Sequence, residues 1–350
     1  RHCAKNFRSA TMCDMQFARS KITPDIDLTA QGKEIGCLRI PHSVHRSAYG
    51  WLPMPAVSIR HGDGPRVLIM AGNHGDEYEG QIAVSRLARE LQHDEIQGHL
   101  LLLPMSNFPA AKAGRRTSPI DEGNLNRSFP GDPEGTPTAM IAQLIEEELL
   151  PHFDLLIDLH SGGSSLYYLP ATQVLLQPDG TINPVEKTLA NAYGAPFNHV
   201  MHEEGSDHSA EAARRQGALL LCSEFGGAGT VTPETLRICE HGLRRALHAF
   251  NLIERLPDYI DAPTSPRYLE IKGQEHYVYA PEDGLYEPFV TLGDEVRAGD
   301  VAAAIHFPEN PVREPVLAYF TDEGVVVCKR IPTQCQRGDC LFHLASEWPS

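Results

Sequence analysis

Three short apolar runs, Val67 to Ala71, Leu155 to Leu159 and Leu219 to Ser223, each lead directly into residues that can carry chemistry. A run of this length without polar alternation reads as a strand buried on both faces, as a parallel sheet covered by helices requires. In an open sheet of that kind the strand ends meet at one edge, where ligands bind. Beyond the first run stand His74 and Glu77, beyond the second His160, and beyond the third Glu224. Two imidazoles and a carboxylate brought to one edge suffice for an open zinc site. The pattern therefore points to zinc-assisted hydrolysis.

From about Ile40 to Leu256 such runs alternate with helical periodicity, the pattern of an α/β sheet flanked by helices. Apolar positions Ile82, Val84, Leu87, Ala88 and Leu91 predict a helix over Glu77 to Leu91. Met140, Ile141, Leu144, Ile145 and Leu149 predict another over Thr138 to Leu150. Thr232 as cap and Pro233 at the first helical position open a third, expected to reach about Leu256. Pro257 to Pro266 resists regular structure and reads as a linker. Short strands follow, expected at Tyr277–Ala280, Phe289–Leu292, Val301–Ile305 and Val325–Cys328, the texture of a small all-β module. The expected organisation is an N-terminal extension with an entry strand (1–39), a catalytic α/β domain (40–256), a linker (257–266) and a β-rich C-terminal domain (267–350).

With 350 residues the chain exceeds one ordinary core, which fits a large domain plus a smaller one. No apolar stretch approaches the roughly 18 residues that a membrane span needs. A net charge of −16 leaves no basic footprint for nucleic acid. Eight cysteines are scattered without zinc-ribbon spacing, which fits reduced thiols in the cytoplasm. The first twenty residues lack the apolar core of a secretory signal, and Met12 or Met15 is the expected start. A homo-oligomer is compatible with the sequence.

His-x-x-Glu occurs three times, at His74/Glu77, His208/Glu211 and His306/Glu309. Only the first follows a buried strand and is embedded in glycines, Gly72-Asn-His-Gly-Asp-Glu-Tyr-Glu-Gly80, whose backbone can turn sharply. If residues 75 to 79 begin the helix, His74 and Glu77 lie about one turn apart and reach one ion. His160 supplies the third ligand, and Asp158, on the same strand face, is placed to support it. His208, His306, His199 and His202 read as solvated or loop histidines. Glu224 stands between an apolar run and a glycine pair, where a carboxylate needs work or a partner. A proton shuttle from an attacking water to a departing amine is that work. The loop Arg115 to Gly131 is long and polar enough to bind. In it Asn126 and Arg127 suit a substrate carboxylate, and Arg116 suits a developing oxyanion.

These segments resemble the succinylglutamate desuccinylase/aspartoacylase family, zinc amidohydrolases related to the metallocarboxypeptidases. The resemblance rests on Gly72 to Gly80, Asn124-Leu-Asn-Arg127, Asp158-Leu-His-Ser-Gly-Gly163 and Ser223-Glu-Phe-Gly-Gly227, in the family's order, and spans nearly the whole chain past about residue 25. Gly72 to Gly80, Arg115 to Asp121 and Gly293 to Asp300 are similar to the branch that deacetylates Nα-acetyl-L-2,4-diaminobutyrate in ectoine breakdown. The resemblance implies one Zn2+ per chain on His74, Glu77 and His160, Asn126 and Arg127 on the substrate carboxylate, Arg116 at the amide carbonyl and Glu224 as proton shuttle. It implies a small N-acyl amino acid as substrate. Two rival readings stand beside it. One is an aspartoacylase or desuccinylase acting on an acidic N-acyl amino acid; the other is a zinc-holding binding protein without catalysis. Asn124 departs from the family, where many relatives carry an aspartate that steadies a zinc histidine. The segment between Met201 and Gln216 also matches poorly.

Overall fold

The structure, a computed structural model, describes Met15, residues 17–202 and residues 205–349. Met12 lies outside the described residues. The three apolar runs form adjacent parallel strands, Arg66–Ala71, Leu155–His160 and Leu219–Gly227, with Gly98–Leu103 parallel on the far side of the first. Antiparallel strands Trp51–His61 and Gly32–Pro41 extend the sheet beyond Gly98–Leu103. On the opposite side lie Leu166–Leu175, antiparallel to Leu219–Gly227, and then Phe197–Met201. The fold is thus the expected mixed α/β sheet flanked by helices.

Alternation along each strand sorts the core into two layers. Val67, Ile69, Leu155, Ile157 and Leu159 face the helices Tyr78–Glu90, Pro184–Tyr193 and Pro233–Ala249. Leu68, Met70, Leu101 and Leu156 face Ile141, Leu144, Ile145 and Leu149 on the other side. Every residue of Arg66–Ala71, Gly98–Leu103 and Leu155–His160 is buried. The continuous apolar character read from the sequence follows from this double burial.

The expected cap of the third helix holds, with the Thr232 side chain accepting from Thr235 N and Pro233 in the first turn. Its end comes earlier than expected, at Ala249. Asn251 adopts a left-handed backbone (φ 61°) and turns Leu252 and Ile253 back into the core instead of onward along the helix. The helix predicted from Thr138 begins at Pro137, and from Leu144 to Leu149 its turns widen to π geometry.

Residues 257–266 contain no helix or strand. Beyond them Arg267–Ile271, Cys340–Glu347 and Gly324–Arg330 continue the main sheet. A separate four-stranded sheet holds Val316–Tyr319, Val301–His306, Gly284–Pro288 and Gln334–Cys335. The strand expected at Phe289–Leu292 instead precedes it, at Gly284–Pro288. Thr291 N is taken by the Asp294 carboxylate in a turn, so that segment leaves the sheet. No helix among the described residues is long and apolar enough to cross a membrane.

Candidate active and metal site

His74, Glu77 and His160 come together, with one donor atom of each within 4.8 Å of the others and all three side chains buried. The helix begins at Tyr78, within the expected range, so Glu77 is its cap residue and His74 sits in the turn before it. Gly72 takes φ +66°, and a Cβ at Gly75 would overlap the Ala110 carbonyl. The glycines therefore allow the turn and the close approach that aim His74 inward.

The Glu77 carboxylate receives both imidazoles, His74 Nδ1 at 2.7 Å and His160 Nδ1 at 2.9 Å, and Ser161 N donates to it at 3.1 Å. Each ring's other nitrogen is held from behind. His74 Nε2 lies 3.1 Å from Asn124 Oδ1, and His160 Nε2 lies 3.0 Å from Asp158 Oδ2. Asp158 Oδ2 also accepts from Ser209 Oγ at 2.6 Å and Asn73 Nδ2 at 3.1 Å. Both rings thus turn Nδ1 toward one point, in fixed orientation.

Burial opposes charge on all of these groups, yet proximity decides the outcome. It penalises a charged His160, but the Asp158 and Glu77 carboxylates raise the imidazole pKa well above its usual value. It also pushes Glu77 up, but His74 and His160 hold that carboxyl far below its ordinary range. For His74, burial prevails and the pKa falls despite Glu77. Such a nest of buried acids and imidazoles is one that a divalent cation would neutralise. The donor set fits a metal: two nitrogens and a carboxylate oxygen that already converge, with their outer partners in place.

A cavity of about 350 Å³ opens over this cluster. Glu224 lies level with His160 on the neighbouring strand and lines the cavity, as do Arg116, Asn126 and Arg127. Paired positions on adjacent strands stand about 4.8 Å apart and share a face, which sets Glu224 beside the cluster. Arg116 Nη1 is 3.7 Å from Glu77 Oε1. Asn126 Oδ1 accepts from Ser209 N at 2.9 Å, which leaves the amide NH2 of Asn126 as its group for an anion. The loop from Arg115 to Gly131 is pinned by Asp121, whose carboxylate takes Gly123 N at 3.2 Å, Thr138 N at 2.8 Å and Thr138 Oγ1 at 2.9 Å. Every site residue expected from the sequence therefore faces one cavity.

The sequence reading missed five further residues of the cavity lining, Tyr168, Gln173, Cys222, Tyr277 and His343. Cys222 was legible in principle, since it alternates with Glu224 on one strand face. His199, read as solvated or in a loop, is fully buried in the strand Phe197–Met201, beside Gln173 and Leu269. The apolar neighbours of Phe197–Met201 in space come from distant parts of the chain, so local polarity misled. His208 does stand before a helix, with Nδ1 on Gly205 O at 2.8 Å, and it also lines the cavity. His202 is exposed as expected and His306 is half-buried at a strand end, each paired with a glutamate.

The fold is of the zinc-carboxypeptidase-like class, with a cluster that could hold a metal at its strand ends. Residues 63–250 match the succinylglutamate desuccinylase/aspartoacylase catalytic domain. The chain belongs to that family, whose members are amidohydrolases acting on N-acyl amino acids. It is 38% identical over 330 residues to the N-alpha-acetyl-L-2,4-diaminobutyric acid deacetylase of Halomonas elongata, covering 93% of this chain and 95% of that one. The structure of a succinylglutamate desuccinylase/aspartoacylase from Rhodobacter sphaeroides superposes with TM-score 0.86 at 35% identity, covering 94% and 100% of the two chains. The product-bound ectoine utilization protein EutE (DoeB) from Ruegeria pomeroyi superposes with TM-score 0.87 at 33% identity, covering 93% and 98%.

Proposed function

We propose that this chain is a cytoplasmic, zinc-dependent deacetylase that converts Nα-acetyl-L-2,4-diaminobutyrate to acetate and 2,4-diaminobutyrate. The observation that carries the choice of substrate is the cavity's supply of cations. Among the described residues Arg116 and Arg127 are the only arginines or lysines on its wall. An N-acyl amino acid uses one for its α-carboxylate and one for its amide carbonyl. None is left for an acidic side chain, which favours the diaminobutyrate over an acyl-aspartate or succinyl-glutamate. The 38% identity to the Halomonas elongata deacetylase supports the same choice.

His74, Glu77 and His160 would hold the zinc, which when bound acidifies a water and polarises the scissile carbonyl. Asn126 and Arg127 grip the α-carboxylate and fix the amide against the metal cluster. Arg116 offers a guanidinium to the carbonyl oxygen as negative charge grows there. Glu224 takes the proton that the attacking water releases and passes it to the amide nitrogen, so that nitrogen leaves as a neutral amine. Ser209 and Asn73 hold Asp158, and through it His160, in place.

The test is acetate release from acetyl-diaminobutyrate and from acetyl-aspartate by zinc-loaded protein, beside a Glu224→Ala variant. Turnover of the first substrate, abolished by chelation and restored by zinc, is the expected result. Activity no higher than that of the variant would refute the catalytic reading, and preference for acetyl-aspartate would move the chain to the acidic branch. Metal binding with no hydrolysis of either substrate would leave a binding protein.

A further inference from the structure

The strand Leu166–Leu175 is bent, and on the edge away from Leu219–Gly227 it pairs with two different strands. Its start, Leu166 to Tyr168, runs antiparallel to Cys328–Arg330, while Ala171 to Leu175 run parallel to Phe197–Met201. Through Arg267–Ile271, Cys340–Glu347 and Gly324–Arg330 the sheet returns to that start and closes a ring of five strands. The inside of the ring is apolar, with Leu269, Ile271, Val325, Val327 and Ala345 in contact. Two imidazoles interrupt it. His199 pairs in register with Leu269, and His343 alternates with Ala345 on the same strand face.

Both rings are buried, His199 at 0% and His343 at 3% exposure. Neither nitrogen of either ring has a hydrogen-bond partner among the described residues. Burying an imidazole unsatisfied costs stability that apolar side chains of the same size would not. For His343 the cost has a destination, because it lines the cavity over the metal cluster. The Tyr277 ring stacks on it at 4.0 Å between centroids, 17° from parallel, and Tyr168 meets it edge-on at 6.3 Å. Burial lowers the His343 pKa to about 3, so the ring is neutral and keeps a lone pair.

We infer that His343, with Tyr277 stacked on it, is the subsite that receives a cationic amine at the end of the substrate's side chain. A neutral imidazole accepts a hydrogen bond from an ammonium, and aromatic walls favour a cation over an anion. Among the described residues Arg116 and Arg127, both from the loop Arg115 to Gly131, are the only arginines or lysines lining the cavity. The inference rests on the deacetylase reading and adds a specificity determinant from the last strands of the chain, far in sequence from the metal cluster.

The test compares two substrates of equal length, Nα-acetyl-L-2,4-diaminobutyrate and Nα-acetyl-L-norvaline, on zinc-loaded full-length protein. The measured quantity is the ratio of their kcat/KM values. Wild type should favour the amine, and His343→Leu should cut that preference by about 10- to 100-fold, chiefly through KM of the amine substrate. Tyr277→Leu provides a second variant should His343→Leu fail to fold by circular dichroism; it should cut the preference in the same direction. A preference that survives in a folded variant overturns the inference while the deacetylase reading stands. An equal loss on both substrates also overturns it, since that marks a structural role. Wild type idle on both substrates overturns the deacetylase reading, and the inference with it.

Discussion

His74 and His160 have both ring nitrogens engaged, by Glu77 on one side and by Asn124 or Asp158 on the other. His199 and His343 are as deeply buried, yet neither nitrogen of either ring is hydrogen-bonded among the described residues. The first pair sits where the sheet's parallel strands end, and the second inside the ring that the C-terminal strands close. A metal end built this way has its geometry set before any ligand arrives, because each donor is oriented from behind. The far end leaves its ring nitrogens unengaged, and of the two rings only His343 lines the cavity. On the proposed reading, the difference separates residues that would fix the reaction from His343, which would help choose the molecule.

The largest expected effect lies at the metal end. Glu224→Gln keeps shape and removes the proton acceptor, so kcat for acetyl-diaminobutyrate should fall by about 10²- to 10⁴-fold. Bound zinc, measured by elemental analysis, should not change, because Glu224 is not in the ligand cluster. A parallel loss of metal would make Glu224 a ligand and erase the assigned division of labour. Next comes the support behind the ligands. Asp158→Asn should weaken zinc affinity by about 10- to 100-fold in a competition titration with a chelator. Asn124→Asp makes the reverse change behind His74 and should strengthen binding. If Asp158→Asn binds zinc as tightly as wild type, the contrast in preorganisation between the two ends fails.

Legibility in the sequence follows the same division. The buried parallel strands announced themselves as uninterrupted apolar runs, and the residues after them met at one edge as sheet geometry requires. His74, Glu77 and His160 could be read because strand, glycine turn and ligand are neighbours in sequence. Asp158 was legible by strand alternation, and Asn124 by its place in a motif. Tyr168, Tyr277 and His343 were not, because their meeting depends on ring closure. Tyr168 meets Cys328 only because Leu166–Leu175 bends between two partners, and His199 is buried by strands about 70 and 140 residues later. No local periodicity carries such pairing. Two boundaries were misplaced for smaller reasons, a left-handed Asn251 that stops a helix and an Asp294 turn that removes Phe289–Leu292 from the sheet.

The smallest predicted effect tests the far end without any substrate. Burial lowers the His199 pKa from 6.5 to about 4. Between those values the unfolded chain binds a proton there and the folded chain does not, so stability is full above about pH 6.5 and falls as pH drops towards 4. For one such imidazole the loss from pH 7 to pH 5.5 is about 1 kcal/mol. His199→Leu removes that proton linkage and replaces an unsatisfied ring with an apolar side chain of similar size. Denaturant midpoints for the two proteins should therefore favour leucine increasingly as pH falls, with the variant losing about 1 kcal/mol less over that interval. His343 and His99, each lowered to about 3 by burial, still titrate in both proteins, so the variant keeps part of the acid sensitivity. Equal slopes would mean that His199 finds a partner in solution. In that case the ring interior is satisfied without substrate, and the contrast between the two ends narrows to His343 alone.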